Sequence, residues 1–173
     1  MLVLGIDPGS RVTGYGLVNQ HRGRYLYVDA GVIRTRPKAP VPDRLATIYE
    51  GMCRVIQERE PEAVAIEAIF RHKSSESALR LGQARGVLLL AAARAGLPIY
   101  EYNAQTVKKS VTGTGRADKT QVARVVGMLL GRDLALAADA TDALAIGITH
   151  LAHARHHVAV GRAKAALKRE EDR

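Results

Sequence analysis

The chain reads as an α/β protein built on one mixed five-stranded sheet with helices on both faces. Two observations carry that reading. Three short strand-like runs open the sequence, separated by only a few residues each. Links that short favour antiparallel neighbours, because a parallel pair needs a crossover of a dozen or more residues. Two later apolar runs are then interleaved with segments of helical periodicity, and the rest of the chain is helical in pattern. That order places helices against a sheet that becomes parallel.

Leu2 to Asp7 is an apolar run stopped by Pro8-Gly9, which makes it a buried strand. Val12 to Asn19 alternates around Gly14 and Gly16 as the second strand, and Tyr25 to Ile33 is the third. After the Pro-rich loop Pro37 to Pro42, Asp43 is expected to cap a helix with Leu45, Ile48, Tyr49, Met52, Val55 and Ile56 on one face, ending near Pro61. Ala63 to Ala68 is the fourth strand, Phe70 to Lys73 a basic loop, and a long helix from Ser75 or Glu76 reaches Ala95, with Gly96 as its cap. Ile99 to Tyr102 is the fifth strand. A short helix over Thr106 to Val111 leads into a glycine-rich loop, Thr112 to Arg116. Asp118 opens a helix whose apolar face is Val122, Val125, Val126, Leu129 and Leu130, and the last helix is expected from Ala138 to His156. Residues 1–157 form one domain, and 158–173 read as a charged, disordered tail without a buried face.

At 173 residues with 47% apolar content, the chain has enough to fill one core. A net charge of +9 points to a polyanionic partner, nucleic acid or an anionic surface. A single cysteine, Cys53, excludes an internal disulfide and reads as a packing residue. The first ten residues lack the basic region of a signal peptide, and the longest apolar run, Gly86 to Ala93, is far short of a membrane span. The expected setting is cytoplasmic, with no membrane partner.

Four acids carry the chemistry. Asp7 ends an apolar strand and Glu67 sits inside another. Burying an unpaired carboxylate is costly, and a divalent cation relieves that cost. Asp139 and Asp142 lie three apart on a helix and project from one face. Together they make an all-oxygen site of the kind that suits Mg²⁺ or Mn²⁺ rather than zinc. Each acid alone also has a plainer reading: Asp7 as a turn former, Glu67 as an edge residue or arginine partner, and Asp139 and Asp142 as first-turn acids favoured by the helix dipole.

Gly5-Ile6-Asp7-Pro8-Gly9 with Gly14-Tyr15-Gly16, Ala65-Ile66-Glu67, Leu81-Gly82-Gln83-Ala84-Arg85-Gly86, and Asp139-Ala140-Thr141-Asp142-Ala143-Leu144-Ala145 follow one another in this order. In these segments the chain resembles RuvC-type Holliday junction resolvases over residues 1 to 155. The resemblance implies an RNase H-like fold, a homodimer, paired nicking of four-way DNA junctions, and work beside a RuvAB-type branch-migration motor. It implies Asp7, Glu67, Asp139 and Asp142 as the metal-binding acids, Lys108 and Lys119 as basic residues near the scissile phosphate, and Phe70 as an aromatic that meets junction bases. Some relatives carry a histidine where Asp139 stands. Two Mg²⁺ ions per subunit, with Mn²⁺ able to substitute, match the charge needs of phosphodiester hydrolysis.

Arg71, Lys73, Lys109 and Arg116 lie in or beside loops near the acids and are expected to meet DNA phosphates. Phe70 is either a stacking residue on unpaired bases or a cap on the core. The helix after Ser75 is apolar on more than one face, so it is either fully buried or shared with a partner subunit. His150, His153 and His157 recur on one helical face, expected to be solvated or phosphate-facing. Three rival readings stand beside the resolvase: an actin-like ATPase, for which the chain is too short, a nuclease of RNA–DNA hybrids, and a non-catalytic DNA binder.

Overall fold

The strands pair through the pattern that the short links require. The computed structural model describes residues 1–68 and 75–171, and of 155–171 the backbone alone. The elements run β1 Leu2–Asp7, β2 Val12–His21, β3 Arg24–Arg34, α1 Val41–Arg59, β4 Ala63–Glu67, α2 Ser75–Arg94, β5 Ile99–Tyr102, α3 Ala104–Thr112, α4 Lys119–Leu130 and α5 Ala138–Glu171. The sheet order is β3-β2-β1-β4-β5. β1 and β3 run antiparallel to β2, whereas β4 lies parallel to β1, and β5 parallel to β4. The β2–β3 hairpin turns on Arg22 and Gly23, both at positive φ, the combination that matches the twist of the flanking strands.

β1 is central and buried on both faces. Leu4 and Ile6 point, with Val64 and Ile66 of β4, into a core shared with Ile48, Met52, Ala84 and Leu88 of α1 and α2. Val3 and Ala65 point the other way, into a core built from α3, α4 and α5. Fully burying each large aliphatic side chain contributes about 1.5–3 kcal/mol, so the strand ends are held firmly. The period of two then sets where the acids go. Asp7 follows Val3 and Gly5 on the α5 side, and Glu67 follows Ala65 on that same side.

The backbone of α5 lies against the sheet at unusually close range, and glycines permit it. A Cβ on Gly5 would stand 2.7 Å from the Gly147 nitrogen and closer still to the Ala143 carbonyl oxygen. On Gly14 it would collide with the Asp139 carbonyl, and on Gly16 it would stand 2.8 Å from the Leu144 nitrogen. Gly5 pairs with Gly16, and Asp7 with Gly14. The glycines therefore form one patch on β1 and β2 that receives the first turns of α5.

Several expectations need correction. α1 starts at Val41, with Pro40 as its N-cap, rather than at an Asp43 cap. Pro42 falls in the first turn, where its missing N–H costs nothing and its fixed φ suits the helix. α3 is longer than expected because Asn103 caps it, accepting from the Thr106 amide at 2.7 Å. His150 is buried rather than solvated. Its Nδ1 meets the Tyr102 hydroxyl at 2.9 Å and its ring stacks on Tyr100. His153 is half-buried, its Nε2 meeting the Ser110 hydroxyl at 3.1 Å, and the His157 side chain lies outside the described residues. The backbone of α5 continues to Glu171, through most of the stretch 158–173. That stretch is rich in Ala, Lys, Arg and Glu, which favour helix without a buried face.

Candidate active site

The acids converge because two parallel strands end together and one helix begins beside them. Ile6 is in register with Ile66, so the next residues, Asp7 and Glu67, stand side by side at the carboxyl ends of β1 and β4. Close seating of α5 on Gly14 brings its first turns, with Asp139 and Asp142, to the same place. Asp7, Glu67 and Asp142 line one cavity of ≈ 130 Å³ together with Lys108 and Lys119, over an apolar floor that includes Val107, Val122 and Ile146. Asp139 is not part of that lining, but its charge acts on Asp7.

Electrostatics mark Asp7 as the strained member. Its carboxyl is pushed up to about 8, first by burial, then by the charges of Glu67, Asp142 and Asp139, and by a hydrogen bond with Glu67. Without a cation, the cluster relieves its repulsion by keeping a proton there. Lys119 is the first residue of α4, where the helix dipole disfavours a cation. Asp142 compensates: Lys119 Nζ lies 2.9 Å from Asp142 Oδ2. That hydrogen bond and charge, with the more distant charges of Asp7 and Asp139, raise the Lys119 pKa against the opposing effect of burial. The start of α4 is itself fixed by a capping box between Asp118 and Gln121. Lys108 is presented by α3, whose start Asn103 holds.

Arg85 is a residue that sequence reasoning placed only within a motif. From α2 its Nε donates to the Glu67 carbonyl at 3.3 Å, and its Nη2 pairs with Glu101 at 2.6 Å. It thereby ties α2 to the ends of β4 and β5. An arginine just before the apolar stretch 87–93 of that helix was the available signal. Lys109 and Arg116 are exposed and do not line the cavity. Phe70, Arg71 and Lys73 fall outside the described residues.

An all-carboxylate oxygen set of this kind fits a hard divalent cation. Among the described residues, no three acidic, histidine or cysteine side chains are already drawn into coordinating arrangement. Burial and the neighbouring carboxylates raise the Asp7 pKa, a cost that a bound cation would relieve.

The family model for crossover junction endodeoxyribonuclease RuvC matches residues 3–150. The chain belongs to the RuvC family. It is 48% identical over 169 residues to the crossover junction endodeoxyribonuclease RuvC of Trichlorobacter lovleyi, covering 98% of this chain and 95% of that one. It is 52% identical over 156 residues to the protein of the same description in Syntrophotalea carbinolica, covering 90% and 96% of the two chains. Among solved structures, Thermus thermophilus RuvC in complex with a Holliday junction substrate is similar at a TM-score of 0.86 and 36% identity, over 91% of this chain and 96% of that one. The expected RNase H-like arrangement, three antiparallel strands followed by parallel ones, is therefore the arrangement of a RuvC-family protein.

Proposed function

We propose that this chain resolves four-way DNA junctions by paired, symmetric, metal-dependent hydrolysis of phosphodiester bonds. The observation that carries the reading is the cavity at the ends of β1 and β4, where Asp7, Glu67 and Asp142 face Lys108 and Lys119. The solved T. thermophilus relative with a Holliday junction substrate supports the choice of DNA substrate. A hybrid-cutting nuclease shares the fold but has no such support, and a non-catalytic binder has no use for repelling acids. Residues 1–157 form the catalytic domain. No helix among the described residues is long and apolar enough to cross a membrane; the site of action proposed for the chain is the cytoplasm.

Asp7, Glu67, Asp139 and Asp142 would hold the cation, Mg²⁺ with Mn²⁺ as a substitute, at two ions per subunit. The metal supplies Lewis acidity toward the phosphate oxygens and the attacking water. This chain's own residues do the rest. Asp7 and Glu67, held by buried strands, fix the position of the charge. Lys119, held at the cavity by Asp142, presents its ammonium to the phosphate and stabilises charge developing there. Lys108, also in the lining, neutralises the phosphate. Phe70, Arg71, Lys73, Lys109 and Arg116 contact the junction.

Two nicks placed by two-fold symmetry require two active sites, which a C2 homodimer supplies. An apolar surface of α2 supports this: Leu79 and Leu90 are 63% and 50% exposed. Beside them, Leu45 and Tyr49 of α1 line a groove with Val87 and Leu90. The junction product of a RuvAB-type branch-migration motor is the expected source of substrate.

The direct test incubates the purified protein with a synthetic four-way junction, with and without Mg²⁺. Symmetric paired nicks that need the metal support the proposal. Cleavage of RNA–DNA hybrids instead, or binding without nicking, sinks it. Replacing Lys119 by methionine is expected to slow single-turnover nicking by about 10²–10³-fold, while metal-free junction binding weakens only modestly. An unchanged rate would remove Lys119 from the chemistry. Wild-type affinity should fall with salt at a log–log slope near −0.9 for each phosphate neutralised, and a flat dependence would contradict a phosphate-reading surface.

A further inference from the structure

On the α1 and α2 side of the sheet, just past the end of β1, a recess of ≈ 10 Å³ is walled by Ser10, Val41, Arg44, Leu45, Arg80 and Gln83. Arg44 is the unusual member. It shares the buried line of α1 with Ile48, Met52 and Ile56, and it is only 6% exposed. Its Nη2 donates to the Ser10 carbonyl, a neutral acceptor. Its Nε has no hydrogen-bond partner, and Arg44 takes part in none of the ion pairs among the described residues. A buried guanidinium without a counter-charge is expensive, and an anion is what would complete it.

Three neighbouring features point to the same kind of ligand. The recess lies at the N-terminus of α1, a helix of 19 residues that no side chain caps. Helix N-termini present unsatisfied N–H groups and a positive dipole end, which attract anions. Arg80 brings a second guanidinium to the rim, where its ion pair with Glu76 is exposed and of the kind that exchanges readily. Gln83 adds an amide donor. The acid in the first turn of α1, Asp43, is exposed and not part of the wall.

We propose that this recess is a subsite for a DNA backbone phosphate other than the one being cut. About 10–15 Å³ admits one oxygen-sized atom, so a single non-bridging oxygen enters while the phosphate rests at the mouth against Arg80. Ser10 is three residues beyond Asp7, a chain distance of at most about 10 Å. That short link sets the recess beside the end of β1 that carries Asp7, so the seated phosphate belongs to the arm being nicked. The identity of the ligand rests on the junction-nuclease reading, whereas its anionic chemistry does not.

The test uses metal-free, full-length protein. Junction affinity is measured across salt for the wild type and for Arg80→Met, a rim variant that leaves the buried residue in place. Separately, the Arg44 Nε–Hε resonance, identified by its loss in Arg44→Lys, is followed during additions of inorganic phosphate and of junction DNA. The expected result is a slope shallower by about 0.9 in Arg80→Met, and an Arg44 resonance that shifts with both additions. An unchanged slope and a static resonance, with wild-type junction binding intact, overturn the subsite and leave the nuclease reading standing. A resonance that shifts with inorganic phosphate, in a protein that does not bind junctions, supports the subsite and sinks the nuclease reading instead.

Discussion

Asp7→Asn is expected to abolish metal-dependent junction nicking, by about 10³-fold or more, because a metal clamp supplies several kcal/mol and each ~1.4 kcal/mol is tenfold in rate. Junction binding without metal should survive, since Asp7 already holds a proton at neutral pH and the variant leaves the charge of that surface nearly unchanged. The same variant makes a second, independent prediction about stability. The Asp7 carboxyl sits at about 8 in the folded protein, against 3.8 for an unperturbed one. Between those values the folded state holds a proton that the unfolded chain has released. The sign follows: the metal-free wild type is most stable below the lower value and loses stability as pH rises through the higher one, at up to about 1.4 kcal/mol per pH unit. Asparagine carries no such proton. Without metal, Asp7→Asn should therefore melt progressively higher than the wild type as pH goes from 5 to 9. Adding Mg²⁺ should narrow the gap, because a ligand at about 100 times its Kd stabilises by about 2.7 kcal/mol and the variant loses that gain. Melting curves over pH, with and without Mg²⁺, check both signs. A variant that nicks at the wild-type rate, or that melts below the wild type at pH 9 without metal, contradicts the role given to Asp7.

The second large effect concerns a residue with no chemistry of its own. Gly14→Ala places a methyl group where the Asp139 carbonyl already stands, closer than 3.0 Å. Both sides of that contact are backbone, so α5 must move. Overpacking of this kind costs about 1–3 kcal/mol, and each kcal/mol lowers the melting temperature of a domain this size by about 2–4 °C. Activity should fall further than stability, because a 1 Å displacement of catalytic groups costs about 10²-fold in rate. Asp139 and Asp142 ride on the part of α5 that moves. The control is Gly82→Ala in α2, where an added Cβ meets nothing within 4 Å. That variant should keep full activity and gain up to about 1 kcal/mol. Equal behaviour of the two variants in nicking and melting assays would show that the close seating of α5 does not set the site.

Much of the site was legible because burial and charge conflict locally. An acid closing an apolar strand, as at Asp7 and Glu67, is visible in one dimension, and so is the three-residue spacing of Asp139 and Asp142. The start of α4 near Asp118 was legible as well, because a capping residue acts within one turn. Other features depend on contacts between distant segments. His150 looked like part of a solvated stripe, and only the packing of α5 against β5 buries it beside Tyr102. Nothing in the sequence singles out Arg44, and only the docking of α1 against the β1–β2 turn makes it a buried charge. The start of α1 was misread because Asp43 is a good capping residue, whereas Pro42 is better placed inside the first turn.

The sequence by itself determined the element order, the antiparallel-then-parallel sheet, the identity of the acids and the family pattern. These follow from periodicity, turn chemistry and residue type, which are properties of short stretches of chain. Tertiary structure decided which acids share a cavity, that Lys119 is held by Asp142, that Arg85 braces the end of β4, and that α5 can approach β1 and β2 at backbone distance. The physical reason is the glycine patch at Gly5, Gly14 and Gly16. A glycine in a sequence signals only that a side chain is missing. What fills the space it leaves, here the helix carrying two of the four acids, is known only once the chain has folded.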